Sequence, residues 1–258
     1  MNAFVLNAPA RVLFSIGGFE IYCYGVIMAI AIISGVFVSN FLVNKSQKLP
    51  QDIFITLSPL TIILGLIGAR LWYCAVNFST YVQFPFEILD FRGGGISIHG
   101  AILGGVIALF YYAKKNKLNL ATLCDYSVPG LALGQAIGRW GNFFNNEAFG
   151  LPYDGWLKLY IPPVNRPEQF INNEYFHPTF LYESVLNLVL FVVLFRLSGK
   201  FPDGKLTLIY LCGYSLIRFL VELLRIDSTL YVGGLPFPAF VSLIIYTVST
   251  FVLIKLYK

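Results

Sequence analysis

The chain is dominated by seven apolar runs, at about 21–43, 53–75, 96–113, from 122 into the stretch at 139, 178–197, 206–224 and 238–256. Each approaches the roughly 20 residues that a helix needs to cross a bilayer. Hydrocarbon offers the backbone no water to bond, so only helices and closed barrels can span it. The runs are continuous rather than alternating, which excludes barrel strands. The expected fold is therefore an all-α integral membrane protein, a single polytopic domain over 1–258 with seven transmembrane helices. Composition agrees: 57% of the 258 residues are hydrophobic and 12% charged, against about 25% charged in a soluble domain. The net charge of +5 is spread among loops, which suits anionic lipid and provides no basic face for nucleic acid.

Orientation follows from the cations. Lys45 and Lys48 follow the first run; Lys114, Lys115 and Lys117 the third; Arg196, Lys200 and Lys205 the fifth; Lys255 and Lys258 close the chain. All fall on one side, which the positive-inside rule makes cytoplasmic. The N-terminus is then outside and the C-terminus cytoplasmic. The proline-bearing polar stretch 141–177 becomes a small extracytoplasmic head between helices four and five, and residues 1–20 lie along the interface. Arg70 and Trp72 are expected to snorkel to that interface. No basic, compact, cleavable leader is expected at the N-terminus. Cys23, Cys74, Cys124 and Cys212 form no CxxC pair and read as small core residues. His99 and His177 sit in no metal-binding frame, so neither metal nor cofactor is expected.

Against this background the polar residues inside apolar runs stand out, because an ionisable side chain at membrane depth is costly and marks function by default. In the glycine-rich stretch 134–150, Gln135, Arg139, Asn142 and Asn146 fall on one helical face if the helix continues. A guanidinium among amides suits a phosphate or carboxylate; pairing of Arg139 with Glu147 for packing alone is the plainer alternative. In the sixth run Tyr214, Arg218, Glu222 and Arg225 form one stripe, read either as a cavity-facing site or, for Arg218 and Glu222, as an i,i+4 brace. Arg139 and Arg218 both lie toward the outer half, where two guanidinium groups can converge on one lipid phosphate. His99, within Gly93-Gly94-Gly95-Ile96-Ser97-Ile98-His99-Gly100, is a candidate general base or a hydrogen-bonded structural residue. Glu183, after His177, is expected to pair with an arginine or to hold a hydrogen-bond network, in a positioning role, with direct acid–base work as the alternative. Gly100 and Gly104 have the spacing of a close helix contact. Tyr24 sits at headgroup depth, where amphipathic rings are favoured.

These motifs carry a resemblance. Gly-Arg-Trp-Gly-Asn-Phe-Phe-Asn-Asn-Glu-Ala-Phe-Gly at 138–150 closely resembles the signature of prolipoprotein diacylglyceryl transferases. So do Tyr24-Gly25 opening the first run, the Gly-Gly-X-Ser-X-His-Gly run ending at Gly100, His-Pro-X-X-Leu-Tyr-Glu ending at Glu183, and Arg-Phe-X-X-Glu-X-X-Arg from Arg218 to Arg225. The resemblance covers nearly the whole chain. It implies transfer of a diacylglyceryl group from phosphatidylglycerol to the lipobox cysteine thiol of a prolipoprotein signal peptide, with release of glycerol phosphate. The setting it implies is the bacterial cytoplasmic membrane, with the active site toward the extracytoplasmic leaflet. Carried over, it makes Arg139 and Arg218 the lipid-phosphate arginines, with Asn142 and Gly150 in the substrate site and Tyr24 as an important tyrosine. His99 and Tyr214 match residues proposed to assist thiol activation. Glu147, Glu183, Glu222 and Arg225 match supporting polar positions, and Asn146 and His177 are grouped with them. The family often has Gly where Asn146 stands and Trp where Phe149 stands.

Two other classes are weighed against this. A multi-span transporter of an anionic solute or lipid also buries charge in broken helices, but would show related motifs in two halves. An intramembrane protease would need a nucleophile–base pair or a metal frame, and Ser97 lacks the GxSxG elbow of a hydrolase.

Overall fold

The computed structural model describes residues 3–90, 94–227 and 230–257; Arg92, Gly93 and Lys258 lie outside them. Every apolar run is helical: α1 (Cys23–Ser46), α2 (Ile53–Val76), α4 (Ile98–Lys115), α5 (Leu120–Asn145), α6 (Thr179–Leu197), α7 (Lys205–Glu222) and α8 (Phe237–Leu256), with a short α3 (Phe78–Gln83) after α2. Four of them, α1, α2, α6 and α8, are by length and composition apolar enough to cross a membrane. The fold is mostly helical but not all-α. Strands β1 (Phe4–Asn7), β2 (Val12–Ile16), β3 (Phe19–Tyr22), β4 (Leu157–Tyr160), β5 (Tyr175–Phe176), β6 (Tyr231–Val232) and β7 (Leu235–Pro236) flank the helices. They escaped a reading based on long apolar periods because each spans only two to five residues.

Backbone contacts divide the chain into two compact units, 1–38 with 127–258, and 39–126. In the first, β1 runs parallel to β4, and β5 completes the sheet antiparallel to β4. The opening residues are thus built into the 146–178 segment rather than lying free. Phe143, Phe149, Leu159, Ile161, Phe176 and Phe180 form the core beneath this sheet. The hairpin β2–β3 turns at Gly17 and Gly18, whose φ values of +56° and +85° are cheap only for glycine. A deeper cluster joins Val128 and Ala132 of α5, Leu190 and Leu194 of α6, and Leu206 and Tyr210 of α7. α1 and α5 come so close that a Cβ on Gly35 would stand 2.8 Å from the Gly130 carbonyl oxygen.

In the second unit α2 packs on α4. The GxxxG spacing does what it suggests: a methyl on Gly100 would overlap the Gly68 carbonyl, and one on Gly104 the Leu64 carbonyl. Small residues permit such approach where lipid supplies no hydrophobic drive between helices. Asp52, just before α2, accepts from Asn40 Nδ2 at 2.8 Å and Asn44 Nδ2 at 2.9 Å. Those two amides hold its carboxyl below the usual range. Arg70 does not snorkel. It is buried, at 4% exposure, and donates to the carbonyls of Ile88 (2.9 Å), Gly94 and Gly95 (2.8 Å each) and Glu87. A string of carbonyls arranged around a single fork of donors competes successfully with the interface.

The α2–α4 contact makes a prediction. Gly104→Val forces overpacking, which costs about 1–3 kcal/mol, and should lower the thermal midpoint in detergent. Gly105→Ala is the control, since its Cβ meets only the Thr61 methyl, at 3.9 Å, and should leave the midpoint unchanged.

Candidate active site

α5 carries Arg139 and Asn142 on one face and ends at Asn145. Asn146 follows with φ of +53°, a left-handed C-terminal position where Gly or Asn is tolerated. That is why asparagine can stand where the resemblance leads one to expect glycine. The expected four-residue face therefore ends at Asn142, and Asn146 turns off it. Glu147 is held by this turn: its Oε1 accepts from Asn142 Nδ2 at 2.8 Å and Asn145 Nδ2 at 3.3 Å.

The partner of Arg139 is Glu183 rather than Glu147. Arg139 Nη2 donates to Glu183 Oε1 at 2.7 Å, and Nη1 reaches Asn142 Oδ1 at 3.3 Å. The near-sequence pairing with Glu147 loses because α6 presents a carboxylate that is 1% exposed and needs a cation more than a hydrated one does. Arg218 comes to the same group from α7: its Nη1 lies 3.7 Å from Glu183 Oε2, and its Nη2 2.5 Å from Glu222 Oε2. The brace between Arg218 and Glu222 and the convergence of Arg139 with Arg218 are thus both present. Arg225 lies beyond the last turn of α7, so the four-residue stripe is not wholly helical. Its Nε is still 3.8 Å from Glu222 Oε2, and it grips Asp227 through both Nε and Nη2. Burial works against the Asp227 charge, yet the Arg225 hydrogen bonds keep its carboxyl below the usual range.

The result is an alternating file: Arg139, Glu183, Arg218, Glu222, Arg225, Asp227. Its inner carboxylates are sealed, at 1% and 2% exposure, whereas the side chains of Arg139 and Arg218 are 22% and 16% exposed. The accessible edge of the cluster is consequently cationic and forked, a surface for an oxyanion.

The other candidates fall in different places. The Tyr214 hydroxyl is hydrogen-bonded to Arg139, and Tyr24 lies within electrostatic reach of Arg139 and Glu147. The Tyr24 ring covers Gly141, where a Cβ would come within 2.7 Å of it. Gly150 bridges to the Arg225 backbone and donates to the His177 carbonyl at 3.0 Å; a Cβ there would strike the Leu224 carbonyl at 2.8 Å. The His177 ring stacks on Tyr153 at 3.9 Å, with Nδ1 3.3 Å from the Tyr182 hydroxyl, and burial lowers its pKa. His99 belongs to the second unit, exposed in the first turn of α4 and stacked with Trp72 at 6.2 Å. Sequence reasoning missed Asp227, although an acid two residues after Arg225 was visible. It also missed Arg11, whose Nη2 donates to the Asn145 carbonyl at 2.7 Å and fastens the end of α5; nothing local predicts that contact. Among the described residues, no three His, Cys, Asp or Glu side chains gather as metal ligands.

The sequence profile of the prolipoprotein diacylglyceryl transferase family matches residues 11–255. The chain is 44% identical over 239 residues to the phosphatidylglycerol–prolipoprotein diacylglyceryl transferase of Parasynechococcus marenigrum, covering 90% of this chain and 85% of that one. It is 44% identical over 262 residues to that of Synechococcus elongatus, covering 99% and 90%. With that of Synechocystis sp. it shares 42% over 258 residues, covering 97% and 90%.

Because Glu183 is buried between two guanidinium groups, Glu183→Ala leaves both without it, which costs about 3–5 kcal/mol and should appear as a sharply lowered unfolding midpoint. Asp154→Ala breaks a pair whose carboxylate is 81% exposed and should cost under about 1 kcal/mol.

Proposed function

This chain belongs to the prolipoprotein diacylglyceryl transferase family, and we propose that it transfers the sn-1,2-diacylglyceryl group of phosphatidylglycerol to the lipobox cysteine thiol of a prolipoprotein, releasing glycerol phosphate. The observation that carries the reading is the open cationic edge that Arg139 and Arg218 make over a sealed carboxylate. A phosphodiester headgroup is the anion that a bilayer delivers to such an edge. The thiol, ordinarily near pKa 8.5, gives up its proton and attacks the glyceryl carbon. A carbon–sulfur bond forms while the carbon–oxygen bond to phosphate breaks, and the electron pair leaves on phosphate. The headgroup thereby gains a negative charge in the transition state, which fixed guanidinium groups stabilise most where water is scarce. No nucleophile of the enzyme's own is needed.

In this reading Arg139 and Arg218 hold the phosphate, Asn142 and Gly150 shape its site, and Tyr24 and Tyr214 line the reacting end. His99 takes the thiol proton. Glu147, Asn146, Glu183, Glu222, Arg225 and His177 are supporting groups that fix the arginines and the strand-bearing segment.

The proposed setting is the bacterial cytoplasmic membrane, with seven crossings, the N-terminus and the 141–177 head outside, and the site toward the outer leaflet. Pairing parity supports it. β1 bonds to β4 across α1, α2, α4 and α5, which requires an even number of crossings between them. Gly150 bridges Arg225 across α6 and α7, and the Tyr257 hydroxyl donates to the Asp203 carbonyl at 2.6 Å across α7 and α8. Leaving out the six-residue α3, each pair encloses an even number of helices, as seven crossings allow.

Purified protein with labelled phosphatidylglycerol and a cysteine-containing lipobox peptide should yield lipidated peptide. Peptide cleavage, or lipid movement without modification, would sink the proposal. Arg139→Lys keeps the charge but loses the fork, and should lower turnover by about a hundredfold; near-normal turnover removes the phosphate grip. His99→Gln should collapse activity at neutral pH and regain part of it at high pH, where the thiol ionises unaided. An unchanged rate rules His99 out as base.

A further inference from the structure

A polar residue of α6 is left unexplained by the site. Asn187 is fully buried in α6, at 0% exposure, and neither its Oδ1 nor its Nδ2 has a hydrogen-bond partner among the described residues. Buried amides are otherwise paired or hydrated almost without exception.

The helix register shows what surrounds it. α5 and α6 meet antiparallel: Arg139 faces Glu183, the Ser184 hydroxyl donates to the Ala136 carbonyl at 2.7 Å, and Val128 and Ala132 pack in one cluster with Leu194 and Leu190. Continuing that register sets Gln135 opposite Asn187, each one turn inside the ion file. α6 and α7 repeat the arrangement, with Glu183 facing Arg218 and Leu190 lying on Gly213. Asn187 therefore comes level with Tyr214. Two more buried atoms in this layer have no hydrogen-bond partner among the described residues. One is Gln135 Oε1, on a side chain hydrogen-bonded to Tyr210; the other is Arg218 Nη1, which stands 3.7 Å from Glu183 Oε2. That separation is too long for a hydrogen bond and suits one mediated by water.

We propose that Asn187 holds a buried water that bridges Arg218 Nη1 to Glu183 Oε2, which makes Asn187 a positioning residue for Arg218. The site has the polar character of an internal water site and offers about three partners. Glu222 fixes Nη2 directly while the water fixes Nη1. The guanidinium plane is then set by two carboxylates at different reach, and its accessible edge stays turned to the incoming anion. The inference rests on the reading that Arg218 binds the lipid phosphate.

The test uses the full-length enzyme in detergent–phosphatidylglycerol micelles. Asn187→Leu keeps the volume but removes both polar atoms. It should raise KM for phosphatidylglycerol about tenfold, the scale of one lost hydrogen bond to a charged group, with kcat changed less than twofold. Its thermal midpoint should be equal to or above that of the wild type, because two partnerless atoms are removed. Asn187→Ser, which can still bond water, should restore KM to within about threefold of the wild type, and it remains informative if the Leu variant fails to fold. A crystal structure of the wild type should show a water within hydrogen-bond distance of Asn187, Arg218 and Glu183. A wild-type KM in Asn187→Leu, a Ser variant no better than Leu, or a wild-type structure without that water overturns the proposal. Arg218→Gln separates the two readings: if it loses activity while Asn187→Leu retains normal KM, the phosphate site stands and the bridge falls. If Arg218→Gln is itself unaffected, the phosphate reading fails.

Discussion

A carboxylate removed from water must be given cations, and Glu183 is given two from different helices. Its burial is tolerable only while Arg139 of α5 and Arg218 of α7 both reach it. That requirement fixes the mutual register of α5, α6 and α7 more sharply than apolar packing could, since leucine and phenylalanine contacts tolerate a slide and a charge pair does not. The consequences spread outward. Arg218 fixes Glu222, Glu222 draws in Arg225, and the Arg225 backbone bridges Gly150, so the chain beyond α5 is tied to the chain beyond α7. Sealing the acids inward also leaves the guanidinium edges as the only reachable part of the inner cluster, so stability and anion recognition share one cause.

Glycine does the complementary work in the apolar layers. Gly35 against Gly130, and Gly68 against Gly100 and Gly104, bring backbones to distances that any side chain would forbid. Backbone contact supplies the dispersion that lipid-exposed faces cannot, because lipid tails solvate leucine as well as another helix does. The charged file sets the register, and the glycines set the spacing.

Much of this was legible in the residues. The apolar runs became helices within a few positions of their expected bounds, since length and hydropathy are signals of the whole segment. The stripe from Tyr214 to Glu222 and the GxxxG spacing of α4 were readable because helical period alone decides them. The partner of Arg139 was not, because Glu147 is near in sequence and Glu183 near only in space. Arg70 was misjudged for a related reason: its partners are backbone carbonyls, which have no letter in a sequence. The short strands carry no period long enough to detect, and β1 has meaning only beside β4. Asn146 shows the opposite case, a residue whose backbone conformation accounts for its identity once φ is known.

The parallel ladder between β1 and β4 bears on how the chain is made. β1 is made before α1, yet β4, the strand it pairs with in parallel, follows α1, α2, α4 and α5. Its edge must wait, unpaired, through the synthesis of four long helices, a long-range closure of the kind that slows folding and exposes strands to wrong partners. Four residues are a small template for misassociation, and β1 is no longer than that. The brevity of this strand thus reads as an adaptation to biogenesis: the seam that fastens the segment before α1 to the segment after α5 is kept too short to do harm before it can close.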